Sequence, residues 1–386
     1  MALIGLGQVD RNLIIIIIAS ICCLSNRLLN VYGETELFNN KIYTNIVIAL
    51  AEILNVIPFI ISRKRSKNKS IVNDLKNIDL NEEEKKFEYI YEELPDIKDE
   101  VKYKELYIIL IGILFFFNYS MFVYTFKVKS NIWITYILFS SIFYYLFFKA
   151  KLFNYHYLSI IIILLTGIII DIVENNFGED WNTDKKGLII SIIRLILLPF
   201  NFVIIKYTIE KKFASPYEIG FYTGIINLIL FIIFGILDYY FLKWYENYEF
   251  IKNFSWMEIL YMLGLLVTNF FVFTFCLIID KNNSPCHIFI MFIFGQIAYY
   301  TNQENVSLVS VIISPIIILF FSLVFNEIIE LNFCGLSRNT KKNMASRAKD
   351  EIMESNFIKK QALQGEDDIK LIEDNSKELN PIINEG

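Results

Sequence analysis

The residues that could do chemistry in this sequence are polar side chains set inside long apolar stretches. Arg194 lies within IISIIRLILLPF (189–200), and Glu52 lies within IYTNIVIALAEILNVIPFII (42–61). Charged side chains are costly in hydrocarbon, and inside a membrane span they commonly mark a solute or ion pathway. Arg194 has two interpretations. In the first, its role is structural: the side chain reaches to the membrane surface or pairs with an acid such as Glu52. In the second, it lines a central cavity and binds a negative group of a solute.

Further polar side chains lie near the middle of other apolar stretches. Arg194 and Asn201 are seven residues apart on one helical face, and Pro199 between them removes a backbone donor. Each polar residue taken singly fits a hydrogen bond between helices, but together they predict a polar central cavity. The candidate substrate-binding residues are Arg194, Glu52, Asn55, Asn118, Asn201, Tyr222, Thr223, Asn269 and Gln296.

Other kinds of chemistry have no recognisable signature in the sequence. It contains no GxSxG, HExxH or Walker-type glycine motif, and its only histidines are His156 and His287. None of the five cysteines forms a CxxC pair. We therefore expect a protein that is not an enzyme and that uses no metal or cofactor. We also expect no nucleic-acid partner, because the basic residues beside the spans have a simpler explanation in membrane topology.

The elements that must position these residues are membrane helices. The chain is 55% hydrophobic, and the apolar residues come in blocks of about 20, the length that crosses a bilayer core. The run IIIIIASICC does not alternate as a barrel strand would. The sequence predicts an all-α integral membrane protein with ten spans, near 11–31, 42–61, 105–126, 131–148, 153–173, 187–206, 217–241, 255–279, 285–300 and 306–331.

Basic residues predict the orientation of the spans. SRKRSKNK (62–69) follows the second span, and LSRNTKKNMASRAK (336–349) follows the tenth. Basic loops favour the cytoplasmic side, so we expect both termini in the cytosol. An alternative takes Arg11 and the apolar run 13–24 as a signal peptide, which would leave nine spans with the ends of the mature chain on opposite sides.

Three segments follow from this topology. A transmembrane domain covers 11–331, with halves at 11–173 and 187–331. A charged cytosolic loop covers 62–104, and a charged cytosolic tail covers 332–386. The loop and the tail are too short and too polar to fold as independent domains, which favours solvated, disordered segments. A contact with a partner or a membrane surface through the basic residues 63–69 is the alternative.

The chain resembles the ten-helix drug/metabolite transporters, in their solute carrier 35-like and EamA-like branches. The resemblance is concentrated at 187–228 and 325–336. In the first stretch, a charged turn that includes Lys206 leads to Pro216 and then to an aromatic-to-glycine step ending at Thr223 and Gly224. SPCHIFIMFIFGQI (284–297) resembles the family's entry into the ninth helix, and FNEIIELNFCGL (325–336) resembles the exit from the tenth.

This resemblance implies two inverted five-helix repeats around a central site that works by alternating access. The expected function is transport of a small polar or anionic metabolite across an endomembrane or the plasma membrane, with that solute and the lipid bilayer as partners. The alternative is a non-transporting membrane scaffold or receptor that acts through its cytosolic loop and tail. A transporter needs polar residues around a cavity, whereas a scaffold would pair them between helices.

Overall fold

The computed structural model describes residues 4–6, 11–32, 41–64, 103–125, 131–150, 152–173, 181, 185–238, 240, 256–300, 312–331, 336 and 340. The helices are α1 (Arg11–Tyr32), α2 (Lys41–Ile53, with a further helical segment over 56–64), α3 (Lys104–Thr125), α4 (Tyr136–Phe148), α5 (Asn154–Val173), α6 (Lys185–Lys211), α7 (Pro216–Leu237), α8 (Trp256–Asn282), α9 (Ile288–Tyr300) and α10 (Ser314–Phe325). The loop and tail expected at 62–104 and 332–386 lie almost entirely outside the described residues.

The helices have the length and composition of membrane spans. Seven of those in the described part of the chain are long and apolar enough to cross a bilayer: Thr44–Lys64, Lys104–Met121, Asn131–Phe148, Asn154–Val173, Lys185–Lys211, Pro216–Leu237 and Glu258–Asn282. Their exposed faces are apolar as well, since Ile172 is 73% exposed and Leu146 is 62% exposed. Helices of soluble proteins carry polar residues on such faces. The expectation of a helical, multi-pass membrane protein is confirmed at this level.

Helix α2 breaks at Leu54 and Asn55, and Ile53, the residue after Glu52, closes the first helical segment. Pro58 has no N–H to donate to the carbonyl of Leu54, and this carbonyl accepts instead from the backbone N–H of Ile57 at 3.0 Å. The carbonyl of Glu52 accepts the backbone N–H and the side-chain amide of Asn55, each at 3.0 Å. Proline therefore interrupts the helix, and the Asn55 side chain helps to satisfy a carbonyl at the break.

Helix α7 runs antiparallel to α2 in close contact. Glu52 meets Asn227, and further along α2 the ring of Phe59 stacks on Phe221 at 6.4 Å. Gly224 allows this approach: a Cβ atom at this position would lie 2.6 Å from the backbone nitrogen of Ile53. Small residues let membrane helices approach closely in this way.

The other helices pack in a regular pattern. α1 contacts α8 and α9, while α6 contacts α3 and α4. α2 contacts α8 in addition to α7, and α7 contacts α3 in addition to α2. α5 packs against α10. A short 3-10 turn precedes α4 at Asn131–Thr135, and another precedes α9 at Pro285–His287.

The tenth span extends less far than the sequence predicts. Helix α10 ends at Phe325, not at 331, and Glu327 adopts a left-handed backbone conformation with φ of 59°. That conformation is unfavourable for an L-residue within a helix and ends it. Strand β2 (Ile329–Leu331) follows and pairs antiparallel with β1 (Ile4–Leu6) in a separate small unit.

We expect Gly224→Ala to destabilise the protein. The new methyl group would be forced against the Ile53 backbone and to within 2.8 Å of the Glu52 Cβ, and overpacking of this kind costs about 1–3 kcal/mol. Thermal unfolding in detergent measures the effect. Gly264→Ala is the control, because its nearest neighbour is the flexible end of Leu29 at 3.2 Å. Equal melting temperatures for the two variants would show that the contact between α2 and α7 can relax.

Candidate functional site

A fully buried carboxylate is the centre of the candidate site. Glu52 is 0% exposed; its Oε1 accepts the hydroxyl of Tyr119 at 2.6 Å, and its Oε2 accepts the amide of Asn227 at 2.7 Å. Thr274 donates to Oδ1 of Asn55 at 3.0 Å beside it. We call Glu52, Asn55, Tyr119, Asn227 and Thr274 the Glu52 cluster. It joins α2, α3, α7 and α8.

The Glu52 cluster lies halfway along its helices. Glu52 is eleven residues after Lys41, and Asn227 is eleven residues after Pro216, which is about 16 Å along each helix axis. A bilayer core is about 30 Å thick, and the two helices are antiparallel. Helices that cross the core from end to end therefore bring both side chains close to its middle.

Several other predicted residues are buried with polar atoms that lack a hydrogen-bond partner among the described residues. Both amide atoms of Asn201, the hydroxyl of Thr223 and Oδ1 of Asn118 belong to this set. Oδ1 of Asn227, which was not a predicted site residue, is in the same situation. Asn201 and Thr223 are 0% exposed. A buried polar group without a partner costs about 1–3 kcal/mol. These atoms are therefore potential binding groups for a polar solute.

Arg194 is half-buried on α6 and interacts electrostatically with the Tyr119 hydroxyl. Its charge therefore acts on the Glu52 cluster through Tyr119. Among the described residues, the Glu52 carboxylate accepts hydrogen bonds from Tyr119 and Asn227, and the direct pair with Arg194 considered from the sequence is not among these contacts.

Two predicted site residues, Asn269 and Tyr222, are not among these buried groups. Asn269 belongs to a contact between α1 and α8, where the amide of Asn26 donates to its Oδ1 at 3.1 Å and the hydroxyl of Thr268 donates to Asn26 at 3.2 Å. This is the helix-to-helix hydrogen bond that the sequence offered as the alternative to a binding role. Tyr222 is 43% exposed. The side chain of Gln296 lies outside the described residues.

The sequence-based candidate set omitted Tyr119, Asn227 and Thr274. Asn227 follows Gly224 by three residues and Gly220 by seven, so all three share one helical face. The two glycines were therefore a signal that this face packs closely on another helix. Tyr119 had no comparable signal, because it stands in an aromatic helix where many rings pack only against one another.

A second buried charged group lies near the ends of α6 and α8. Lys206 is 4% exposed; its ammonium donates to the carbonyl of Lys281 at 2.9 Å and pairs with Glu210 at 2.8 Å. Asp280 is 0% exposed, and neither carboxylate oxygen has a hydrogen-bond partner among the described residues. Asp280 interacts electrostatically with Lys206. The lysine charge therefore faces two acids.

Comparison with known proteins does not assign this geometry to a family. No family model matches the chain, and no curated protein matches it at a significant level. Within the described residues, no group of three or more His, Cys, Asp and Glu side chains could hold a metal ion. The role of the Glu52 cluster therefore has to be judged from its own contacts.

Tyr119→Phe should lower the free energy of unfolding by about 1–3 kcal/mol, because it removes a donor from a buried carboxylate. Chemical denaturation in detergent measures this. Tyr145→Phe is the matched control, since Tyr145 is 53% exposed. If both variants are as stable as the wild type, the hydrogen bond between Tyr119 and Glu52 does not contribute to folding.

Lys206→Met should also destabilise the protein, because it removes the cation that interacts with the buried Asp280. Adding Asp280→Asn to Lys206→Met should recover part of the loss, since it removes the uncompensated charge. A double-mutant cycle of thermal unfolding gives the coupling between the two residues. Additive effects would mean that Asp280 does not depend on Lys206.

Proposed function

We propose that this protein is a membrane transporter that moves a small polar or anionic metabolite by alternating access. The observation that carries the proposal is the Glu52 cluster: a fully buried carboxylate halfway along a span, in the last turn of helix before the break in α2. Transporters place their solute and ion sites at interrupted helices near the middle of the membrane. Intramembrane acids are otherwise rare because they are costly to bury.

The packing of the helices supports two repeats of five. If the two halves are equivalent repeats, each helix corresponds to the helix five places away, and equivalent helices make equivalent contacts. The contact of α1 with α8 corresponds to that of α6 with α3, and the contact of α1 with α9 corresponds to that of α6 with α4. In the same way α2 with α8 becomes α7 with α3, while α2 with α7 and α5 with α10 are unchanged. Two repeats related by a two-fold axis produce such a pattern, and five crossings per repeat make them inverted. The 3-10 turns before α4 and α9 are also equivalent.

The pairing of β1 with β2 supports an even number of crossings. β1 precedes α1 and β2 follows α10, and the two strands are hydrogen-bonded, with Ile4 opposite Leu331. Paired strands lie on one side of a membrane, so the chain between them crosses an even number of times. This favours ten spans with both termini on one side over the nine-span alternative. The basic runs make the cytosol that side.

Arg194 is the proposed binding group for a negative solute. Its charge interacts electrostatically with the hydroxyl of Tyr119, which belongs to the Glu52 cluster. A guanidinium binds a carboxylate or phosphate through two parallel hydrogen bonds. The resemblance of 187–228 to drug/metabolite transporters points in the same direction. The scaffold alternative explains the pairing of Asn26 with Asn269. It does not explain the fully buried side chains of Asn201 and Thr223, whose polar atoms have no hydrogen-bond partner among the described residues.

Exchange of labelled solutes by the purified protein in liposomes tests the proposal. The panel contains nucleotide-sugars, nucleotides, amino acids and sugar phosphates, and the liposomes are preloaded with the unlabelled compound. We expect one class to exchange faster than in protein-free liposomes. A folded, correctly inserted protein that exchanges no member of the panel would favour the scaffold alternative.

Arg194→Lys should reduce exchange by about tenfold or more, because a point charge cannot replace the two-point contact of a guanidinium. Protein level and melting temperature should stay close to wild type. Arg63→Lys is the control, since Arg63 is exposed at the end of the α2 span. Wild-type exchange by Arg194→Lys would remove Arg194 from the site and leave it the role of a residue that reaches to the membrane surface.

A further inference from the structure

Glu52 differs from two other acids of the structure in the kind of partner that it has. Glu218 pairs with Lys104 at 2.7 Å, and Glu210 pairs with Lys206 at 2.8 Å. A lysine ammonium only donates hydrogen bonds, so both of these contacts suit an ionised carboxylate. The partners of Glu52 are a phenol and an amide, each of which can donate or accept.

The contacts of Glu52 suit its protonated form as well as its ionised form. With Glu52 ionised, Asn227 donates from Nδ2 at 2.7 Å, and Oδ1 of the same amide has no hydrogen-bond partner within the described part of the chain. Turning the amide over brings Oδ1 to the position of Nδ2, where it can accept the O–H of a protonated Glu52. Tyr119 still donates to Oε1. The change needs no movement of the main chain.

We propose that Glu52 is a proton-binding site and that the solute crosses the membrane together with this proton. The second half rests on the proposed transport function. A buried carboxylate that is bonded only by neutral groups is costly, and protonation removes that cost. An ionised Glu52 would repel an anion held by Arg194, and a protonated one would not. Proton and anion therefore favour each other's binding, and this coupling is reciprocal.

The titratable and charged groups that interact with Glu52 or with its partner Tyr119 are consistent with this coupling. Helix α3 contributes Tyr119, and α8 and α6 contribute Cys276 and Arg194, both of which interact electrostatically with the Tyr119 hydroxyl. Helix α7 contributes Asn227, which does not titrate. Arg194 is thus the one cation among these groups. An anion bound to it would cancel its charge and make the uptake of a proton by Glu52 more favourable.

Asp280 is the competing candidate and provides the control. It is also 0% exposed, but it has a lysine, Lys206, as an electrostatic partner. It lies two residues before the end of α8, whereas Glu52 lies halfway along its span. A proton carrier for a central site is therefore expected at Glu52.

Infrared spectroscopy of the full-length protein in lipid nanodiscs tests the proton site without any solute. On titration from alkaline to acidic pH, the carbonyl band of a protonated carboxyl should grow in the wild type and in Asp280→Asn, and this growth should be lost in Glu52→Gln. Tyr119→Phe should move the midpoint of the band, which keeps the test decisive if Glu52→Gln does not fold. A Glu52 band that is absent or constant at every pH would overturn the proposal.

Solute uptake into liposomes tests the coupling with the same labelled panel. An imposed pH gradient, with the more acidic solution outside the liposomes, should accelerate net uptake of the solute by the wild type. Glu52→Gln should lose the response of uptake to the gradient, whereas Asp280→Asn should keep it. Uptake by the wild type that ignores the gradient would overturn the coupling but leave the transport function intact. Absence of all exchange would instead reject the transport function, while the infrared titration would still decide the proton site.

Discussion

The structure depends on how one carboxylate is kept out of contact with the apolar side chains around it. Glu52 is completely buried halfway along α2, and its two oxygens are satisfied by Tyr119 and Asn227. A carboxylate left without such partners would be costly to bury, by several kcal/mol on typical scales. The bonds to α3 and α7 therefore constrain where both helices lie against α2, and Gly224 allows α7 to come close enough.

The break in α2 places backbone polarity at the same depth as this side chain. Non-helical backbone at membrane depth is tolerated only where it is buried in protein or lines a cavity. Here the carbonyl of Glu52 is satisfied by Asn55, whose Oδ1 is in turn bonded by Thr274 on α8. The interruption caused by Pro58 is thus linked to a third neighbouring helix, and side chain and main chain form one connected polar centre.

In the proposed repeat, α2 and α7 are equivalent helices that meet at the two-fold axis. Glu52 and Asn227 stand at the same distance from the starts of these helices and bond to each other. One repeat therefore offers an acid where the other offers an amide. Two acids at these positions would repel each other, whereas an acid and an amide form a hydrogen bond in either protonation state of the acid. The proposed proton site therefore holds one proton per molecule.

The sequence by itself predicted a helical membrane protein, because only helices and closed barrels can span a bilayer and the apolar blocks have the length of a spanning helix. Glu52, Asn55, Asn118, Asn201 and Thr223 were predicted as site residues and are all buried. The tertiary structure decided the partners: Glu52 bonds to Tyr119 and Asn227, and Asn269 bonds to Asn26. The end of α10 at Phe325 was decided there as well. The physical reason is that these helices are apolar on almost every face. Periodicity then does not say which face turns inward, and only packing of the whole set brings each polar side chain to its partner.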